Sequence, residues 1–405
     1  MIKRWLIEEL KHKMAYRRGV HLTGARQVGK STLASMLDLP SCRRYTLDDD
    51  KVRDAAANDP HGFVNRREGE TLVIDEVQKV PAILDAIKIA VDASDSRGQY
   101  LLTGSSDLHF AKSIRDSLAG RLGKIRLRPL SLGELNGRGP SFLSHAFAGD
   151  FAREYPDIDK RGIIHLGFVG GYPEPRNFSM RERKEWFKEY LDDLLNKDVR
   201  DLTEIRKVDV LHGIALWLLA HSAQFFSVDE LATKAGVSRI TAQGYLDALK
   251  ALYLFDCVPA WAKSDYDHLG KRPKWISSDA GMMASLLDWK EEDVYLDASR
   301  SGKFVESWVY QQLAAIAEAV GGYSISHYRD SKKREIDFIV ERDDGSMLGI
   351  EVKAGNVGKE DFRHLEWFRD NIASEPFAGM VLYSGKNVLS FGEHMLAVPL
   401  SALGE

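Results

Sequence analysis

Cysteine is scarce in this chain. Its 405 residues include only Cys42 and Cys257, which lie far apart in the sequence. A disulfide framework needs several cysteines, and a zinc site needs cysteines and histidines at short, regular spacings that neither residue has. The sequence therefore argues against both kinds of site and favours a reducing compartment, so we expect a cytoplasmic protein.

Long apolar runs are also missing. Residues 214–220, IALWLLA, are far too few to cross a bilayer. The N-terminus reaches the acidic pair Glu8 and Glu9 almost at once, which is not the pattern of a signal peptide. We therefore expect no membrane partner.

Neither sign of charge is in large excess, since the formal net charge is −4. Such a chain has no global attraction for nucleic acid, so any contact with nucleic acid must come from local basic patches. With 44% hydrophobic and 29% charged residues, the composition is that of an ordinary globular protein. A chain of 405 residues is too long for one core, so we expect several domains.

A phosphate-binding loop is the clearest motif. Residues 24–32 read GARQVGKST and match the pattern GxxxxGK[ST] at each fixed position. The apolar residues 19–23 before it predict a strand, and residues 32–37 after it predict an amphipathic helix. Glycines let backbone N–H groups turn toward phosphates, Lys30 reaches the β- and γ-phosphates, and the Ser31 hydroxyl ligates Mg²⁺. The loop predicts a site for ATP with Mg²⁺.

Two further apolar runs end in polar residues. Residues 71–76, TLVIDE, predict a second strand whose Asp75 holds Mg²⁺ and whose Glu76 orients and deprotonates the attacking water. Residues 99–106, QYLLTGSS, predict a third strand. If the three strands are parallel, Thr103 or Ser105 senses the γ-phosphate, although both are also common turn residues. The residues predicted to bind the nucleotide and its metal are Gly24, Ala25, Arg26, Gln27, Val28, Gly29, Lys30, Ser31, Thr32, Asp75, Thr103 and Ser105.

These motifs resemble a prokaryotic branch of the AAA+ ATPases. The resemblance rests on residues 23–31 and 101–106, on AGR at 119–121 and on RPLSLGE at 128–134. It covers nearly the whole chain. It implies that the ATPase is followed by a helical region and then by a C-terminal nuclease-like domain. Because AAA+ sites usually lie between subunits, the resemblance also implies a homo-oligomer.

A basic run follows the third strand and includes Arg115, Arg121, Lys124, Arg126 and Arg128. An arginine from a neighbouring subunit completes many sites of this kind. The resemblance selects Arg121 as that arginine finger, because it stands in the AGR motif. A solvated basic face is the alternative for each of these side chains.

The middle of the chain predicts helices. Residues 140–206 predict a helical lid over the nucleotide, with an apolar stripe between residues 185 and 202. Residues 226–238, FSVDELATKAGVS, predict a strand, a short helix, a turn at Gly236 and a second helix capped by Ser238. Residues 253–258 and 274–278 would then form the wing of a winged helix. Its second helix either directs Arg239, Thr241 and Gln243 into the DNA major groove or serves as a spacer between domains or subunits.

The C-terminal part predicts a β-hairpin. Residues 334–340, REIDFIV, and residues 348–353, LGIEVK, alternate between apolar and polar side chains around a turn at residues 343–345. The apolar pattern pairs Phe338 with Ile350 and therefore Asp337 with Glu351. Opposed carboxylates repel each other by about 0.2–1 kcal/mol, a penalty that a divalent cation between them would remove.

This hairpin resembles the active site of the PD-(D/E)XK nucleases. The resemblance makes Asp337 and Glu351 ligands of Mg²⁺ or Mn²⁺ and gives Lys353 the role of orienting the attacking water. Glu306, on a helical segment, matches the acid that often completes such a site. The basic residues that would hold a DNA backbone nearby are Arg329, Lys332, Lys333 and Arg334. An ordinary hairpin with a solvated charged face is the alternative.

The sequence thus predicts an α/β protein with four parts. They are a P-loop AAA+ core at 1–138, a helical lid at 139–206, a winged-helix domain at 207–295 and a restriction-endonuclease-like α/β domain at 296–405. We expect an ATPase coupled to a Mg²⁺-dependent nuclease, with Lys30, Glu76 and Arg121 catalytic in the first part and Glu306, Asp337, Glu351 and Lys353 in the last. The expected partner is nucleic acid, in the first place DNA. An ATP-dependent switch or DNA-binding regulator with an inert nuclease fold is the alternative, and an effector acting on RNA is a third hypothesis.

Overall fold

The structure is a computed structural model that describes residues 2–104, 120–198, 207–263, 271–373 and 376–405. Its main hydrophobic core is continuous from Leu6 near the start to Leu403 near the end of the chain. Two smaller cores lie beside it, one in the first sheet and one in the last. The successive parts of the chain are therefore packed against one another.

A five-stranded parallel sheet forms the N-terminal part, in the order β2-β3-β4-β1-β5. The three apolar runs of the sequence form its central strands, so β4 lies between β1 and β3. Because the strands are parallel, their carboxyl ends meet at one edge of the sheet. The strands are β1 (Gly19–Thr23), β2 (Cys42–Thr46), β3 (Thr71–Asp75), β4 (Tyr100–Thr103) and β5 (Leu122–Arg126).

Helices connect these strands. The helix Ala82–Asp92 buries Ile83, Leu84, Ile87 and Val91, which recur at helical spacing and pack into the core of the sheet. The other helices of this part are Leu6–Tyr16, Lys30–Met36, Asp50–Asn58 and Pro60–Phe63.

The middle of the chain is helical, as predicted. Its helices are Leu132–Leu135, Phe142–Ala148, Lys160–Val169, Met180–Asp193 and Val208–Ala220. The predicted apolar stripe lies on Met180–Asp193 and the turn after it, where Phe187, Leu191 and Leu194 are buried. This helix begins earlier than the stripe suggested, because Ser179 and Glu182 form a capping box at its N-terminus.

A helix-turn-helix arrangement follows. The helices Val228–Ala235 and Arg239–Ala251 are separated by Gly236, whose φ of +64° favours glycine. Ser238 caps the second helix as predicted, by accepting a hydrogen bond from the Thr241 N–H. The prediction of a strand at the start of residues 226–238 is wrong, because Ser227 instead caps the first helix. The predicted antiparallel pair is present as β6 (Phe255–Val258) and β7 (Lys274–Ser277).

The C-terminal part contains a six-stranded mixed sheet in the order β12-β13-β11-β10-β9-β8. The predicted hairpin is β9–β10, and Phe338 pairs with Ile350 as the apolar pattern indicated. The helix Arg363–Asn371 lies in the connection from β10 to its parallel neighbour β11, which a parallel pair requires. The strands are β8 (Tyr323–Arg329), β9 (Glu335–Arg342), β10 (Met347–Val352), β11 (Phe377–Tyr383), β12 (Leu389–Gly392) and β13 (Met395–Pro399).

The helix Ala298–Val320 connects the parts of the molecule. It follows the short helices Ala280–Leu286 and Glu291–Leu296. Its side chains are buried on several faces, from Phe304 to Ile316, because it packs against both the N-terminal helix and the C-terminal sheet. Within the described ranges, no helix has the length and apolar character needed to cross a membrane.

Candidate functional site

The phosphate-binding loop joins β1 to the helix Lys30–Met36 at the carboxyl edge of the parallel sheet. Gly24 has a φ of +143°, and a Cβ atom there would lie 2.3 Å from the carbonyl oxygen of Leu127. Gly29 has a φ of +99° where the loop enters the helix. Both fixed glycines of the motif are therefore required by the backbone itself.

Lys30 lies in the loop, where its side chain is buried. Its Nζ atom donates hydrogen bonds to the carbonyl oxygens of Gly24 at 3.0 Å and Ala25 at 2.8 Å. Ser31 and Thr32 are exposed on the first turn of the helix that follows. The ammonium of Lys30 is thus directed at the carbonyl groups of the loop, while the two hydroxyl residues are exposed beside the loop at the start of the helix.

The acidic strand end lies two strands away from the loop. Asp75 is the last residue of β3, and it accepts a hydrogen bond from the hydroxyl group of Thr103 at the end of β4. Glu76 follows with a φ of +55°, an uncommon conformation for a non-glycine residue, and its carboxylate accepts a hydrogen bond from the Gln78 side chain. The structure thus brings Asp75 and Thr103 together, while Ser105 lies outside the described residues.

Two side chains that sequence reasoning missed support the loop. Arg4, buried before the first helix, donates to the carbonyl oxygens of Val28 at 2.9 Å and Arg128 at 2.6 Å and pairs with Glu134 at 3.0 Å. The Tyr190 hydroxyl, on the helix Met180–Asp193, donates to the carbonyl oxygen of Arg26 at 3.2 Å. The loop is therefore connected to both the N-terminal segment and the predicted lid.

Arg121 lies at the amino ends of the parallel strands, opposite the carboxyl ends where the phosphate-binding loop is. It precedes β5, whose five residues span about 16 Å. Its guanidinium forms a bidentate pair with Asp92, with Nε at 2.7 Å from Oδ1 and Nη2 at 2.9 Å from Oδ2. This hydrogen bonding lowers the pKa of Asp92. Arg121 therefore lies far from the phosphate-binding loop of its own chain.

Two other members of the basic run are not solvated. Arg126 and Arg128 both pair with Asp256 of β6, the latter at 2.6 Å between Nη1 and Oδ2. Although burial works in the opposite direction, the two guanidinium groups hold the pKa of Asp256 well below its ordinary value. The N-terminal parallel sheet and the β6–β7 hairpin are thus joined by a buried ion-pair cluster.

The structure also brings together the acids predicted for the nuclease-like site. Glu306 on the helix Ala298–Val320, Asp337 on β9 and Glu351 on β10 are all largely buried. The Asp337 Oδ2 atom accepts a hydrogen bond of 2.9 Å from the Val352 N–H. Lys353 is partly exposed, and its Nζ atom lies 3.4 Å from Asp361 Oδ1.

A fifth side chain, Lys274 of β7, lies within this group and was missed by sequence reasoning. Its Nζ atom is 2.7 Å from Glu306 Oε1, 3.0 Å from Glu335 Oε1 and 3.7 Å from Asp337 Oδ1. The side chain of Lys274 has no exposed surface. We name Lys274, Glu306, Glu335, Asp337 and Glu351 the carboxylate cluster.

The carboxylate cluster holds more acids than its lysine can balance. Burial and the nearby Asp337 raise the pKa of Glu306 to about 8. Burial and the same neighbour raise the pKa of Glu351, and burial also raises that of Asp337. Burial disfavours the ammonium of Lys274, but the surrounding carboxylates outweigh it and raise the pKa of this lysine. Lys274 therefore remains charged among acids that share protons.

A metal centre is predicted at the β9–β10 hairpin. Over the ranges that the structure describes, no group of three or more histidine, cysteine, aspartate or glutamate residues is arranged to hold a metal ion. The assignment of Asp337 and Glu351 as ligands of Mg²⁺ or Mn²⁺ therefore stays a prediction, as does the catalytic role of Glu306 and Lys353.

The side chains predicted to contact DNA differ in their solvent exposure and in their ion pairs. On the second helix of the helix-turn-helix, Arg239 and Gln243 are exposed, and Ile240 is 86% exposed. Lys332 and Lys333 are exposed as well. Arg334 instead pairs with Asp330 and stacks on the ring of Trp367, 3.3 Å from its centroid.

Comparison with known proteins agrees with the N-terminal geometry. Residues 16–136 match a family described as AAA domain, which supports an AAA-type ATPase domain in this part of the chain. Residues 161–293 and 301–403 match two families described as domains of unknown function, DUF8612 and DUF4143.

Several curated proteins are similar along most of the chain. The uncharacterized proteins Mb2031c of Mycobacterium bovis and Rv2008c of Mycobacterium tuberculosis are each 27% identical over 368 residues, which cover 86% of this chain and 74% of theirs. The uncharacterized protein MJ1544 of Methanocaldococcus jannaschii is 28% identical over 195 residues, 46% of this chain and 42% of that protein.

Two solved structures share a weaker similarity with this chain. The Walker-type ATPase PABY2304 of Pyrococcus abyssi has a TM-score of 0.39 at 16% identity, covering 70% of this chain and 94% of that one. A point variant of Thermotoga maritima RuvB has a TM-score of 0.27 at 16% identity, covering 65% of this chain and 91% of that one.

Proposed function

We propose that this chain is an ATP-hydrolysing switch that acts on DNA, with Mg²⁺ at the nucleotide site. The observation that carries the ATPase assignment is the meeting of the phosphate-binding loop with the Asp75–Glu76 strand end at one edge of a parallel sheet. In this proposal Lys30 contacts the β- and γ-phosphates, Ser31 and Asp75 hold Mg²⁺, and Glu76 orients the attacking water.

The ATPase assignment is tested by nucleotide binding and turnover. We expect the chain to bind a fluorescent ATP analogue at full affinity only when Mg²⁺ is present, and to release phosphate from ATP. Lys30→Ala removes the ammonium of the loop and should abolish both signals. Lys51→Ala, at an exposed lysine on another helix, is the control. Equal binding by the Lys30→Ala chain would refute the site.

We propose that hydrolysis is transmitted through the contacts around the loop. Tyr190 connects the loop to the helix Met180–Asp193, and Arg126 and Arg128 connect the same sheet to Asp256 beside the helix-turn-helix. Rearrangement of the loop on nucleotide binding would therefore act on two neighbouring elements at once. These contacts support a switch in which ATP changes the presentation of the helix Arg239–Ala251.

The DNA partner is supported by the exposed face of that helix. Arg239 and Gln243 lie on it, and Arg239 is a cation that would exchange its exposed 3.7 Å ion pair with Asp229 for a phosphate or a base edge. We expect Arg239→Ala to weaken DNA binding and to reduce the slope of log K against log salt by about one. Lys250→Ala, at the far end of the same helix, is the control. Unchanged binding and salt slope in the Arg239→Ala chain would contradict the proposal, and preference for RNA over DNA would favour the RNA effector instead.

A Mg²⁺-dependent nuclease is the second candidate function. It is favoured by the closeness of Glu306, Asp337 and Glu351, with Lys353 on the strand end beside them. Plasmid incubated with the chain and Mg²⁺ or Mn²⁺, with and without ATP, tests it. Cleavage that Asp337→Ala or Lys353→Ala abolishes would establish the nuclease. Intact plasmid under each condition would leave the C-terminal part as an inert scaffold of the switch.

A further inference from the structure

We propose that the ammonium group of Lys274 is the resident cation of the carboxylate cluster, in the place where a PD-(D/E)XK-like site would hold a divalent metal ion. The cluster is then an internal ionic joint between the β6–β7 hairpin and the C-terminal sheet. This inference does not depend on ATP hydrolysis or on DNA binding, and it excludes the second candidate function, the Mg²⁺-dependent nuclease.

The first support is that the ammonium donates two hydrogen bonds, to Glu306 and Glu335, and forms a longer ion pair with Asp337. A lysine ammonium carries three N–H donors. Three carboxylate oxygens surround the Nζ atom of Lys274, from Glu306 at 2.7 Å, Glu335 at 3.0 Å and Asp337 at 3.7 Å. A charge with no exposed surface is tolerated only where such partners surround it. The site is therefore built around this side chain.

The second support is that several of the carboxylate oxygens already have partners inside the protein. Glu306 Oε1 and Asp337 Oδ1 face the ammonium, and Asp337 Oδ2 accepts the N–H of Val352 at 2.9 Å. Mg²⁺ and Mn²⁺ require several oxygen ligands directed at one point. Among the residues that the structure describes, no three acids are arranged to hold a metal ion, so the donor set as arranged does not fit a divalent ion.

The third support is that the backbone fixes the lysine. Lys274 pairs with Val258 in the β6–β7 hairpin, and its Nζ atom lies 5.2 Å from the centroid of the Phe225 ring. The three acids that pair with it lie elsewhere: Glu306 belongs to the helix Ala298–Val320, and Glu335 and Asp337 belong to β9. The ion pairs therefore connect the helix-turn-helix unit to the C-terminal part.

The test measures binding of Mn²⁺ to the full chain by electron paramagnetic resonance of the free ion. The Ser31→Ala and Asp75→Asn changes first remove the ATPase metal site. With Lys274 intact, we expect no Mn²⁺ binding that depends on Asp337 and no change of melting temperature with a chelator. Stoichiometric Mn²⁺ binding that Asp337→Asn abolishes would overturn the proposal, and this measurement needs no altered lysine.

Lys274→Met in the same background provides the second arm. It removes the ammonium and keeps most of the apolar volume, so we expect a melting temperature lower by roughly 10 °C. We also expect stoichiometric Mn²⁺ binding that is absent when Lys274 is intact and that Asp337→Asn removes again. A folded Lys274→Met chain without new Mn²⁺ binding would overturn the proposal.

Lys353→Met is the matched control, because it removes another lysine beside the same acids. Its Nζ atom contacts Asp361 at 3.4 Å, and its side chain is 37% exposed. We expect a smaller loss of melting temperature than for Lys274→Met and no gain of Mn²⁺ binding. An equal gain in both variants would show that Lys274 has no special place in the cluster.

Discussion

The guanidinium of Arg4 donates a hydrogen bond of 2.9 Å to the carbonyl oxygen of Val28 in the phosphate-binding loop. The same group pairs with Glu134, whose carboxylate also accepts the backbone N–H of Trp5 and that of Ser131. Arg4, which precedes the first helix, thus holds the loop in place through a hydrogen bond to its backbone. The loop is held by side-chain contacts from outside its motif as well as by its own glycines.

We expect Arg4→Met to reduce both stability and nucleotide affinity. The change leaves the buried carboxylate of Glu134 without its cation, which costs roughly 3 kcal/mol of unfolding free energy. It also leaves the Val28 carbonyl unsupported, so ATP affinity should fall about tenfold. Urea unfolding and titration with a fluorescent ATP analogue measure the two effects. Lys3→Met, at the exposed neighbouring residue, is the control, and normal affinity in the Arg4→Met chain would limit Arg4 to a role in stability.

We expect Glu76→Gln to impair ATP hydrolysis without changing ATP binding. The amide keeps the size of the side chain and can still contact Gln78, but it cannot accept a proton from water. Turnover should therefore fall by about 10²–10⁴ while ATP affinity stays the same. Phosphate release and equilibrium binding measure the two quantities, with Glu68→Gln at an exposed position as the control. Normal turnover in the Glu76→Gln chain would show that another group activates the water.

Arg121 can complete a nucleotide site only in a neighbouring chain, because it lies at the edge of the sheet opposite its own loop. We expect Arg121→Ala to reduce turnover about 10³-fold if it is the arginine finger. Mixing Arg121→Ala chains with Lys30→Ala chains should then restore activity, because one supplies the loop and the other the arginine.

Asp92→Asn is the control for that experiment. It releases the bidentate partner of Arg121 without removing the cation, so it should retain most of the activity. If Arg121→Ala retains full turnover, the pair with Asp92 is only a local surface contact. If both single variants are inactive and mixing restores nothing, the arginine does not act between chains.

Local sequence patterns were sufficient to predict the structure of two parts of the molecule, the phosphate-binding loop and the β9–β10 hairpin. The loop residues 24–32 specify their own backbone, because the fixed glycines and the following helix are neighbours in sequence. The β9–β10 register follows from alternating apolar residues around a short turn, and the pairing of Phe338 with Ile350 confirms it. In both cases the residues that decide the structure lie within about twenty positions of each other.

Contacts between distant residues could not be predicted in this way. Lys274 precedes Glu306 by 32 positions and lies on a separate hairpin, and its sequence neighbours do not distinguish it from other strand lysines. Arg126 and Asp256 are separated by 130 positions, so the expected solvated basic face is in part a buried ion pair. Which basic side chains are buried, and which acids they pair with, depends on tertiary packing.

The buried ion pairs of Asp256 with Arg126 and Arg128 should make the free energy of unfolding decrease at low pH. The folded-state pKa of Asp256 lies below its ordinary value of 3.8, so its charge stabilises the folded chain at any pH above about 4. That contribution is lost as the pH falls from there toward the lowered folded-state pKa. The Asp256→Asn chain lacks this titration.

We therefore expect the stability difference between the wild-type chain and Asp256→Asn to be constant between pH 5 and 7, at roughly 3 kcal/mol, and to shrink as the pH falls below about 4. Urea unfolding across this range measures it. Asp247→Asn, at a partly exposed acid on the helix Arg239–Ala251, is the control and should show a smaller difference. A stability difference that grows on acidification would mean that Asp256 is protonated in the folded chain. The two arginines would then not form ion pairs that join the N-terminal parallel sheet to the β6–β7 hairpin.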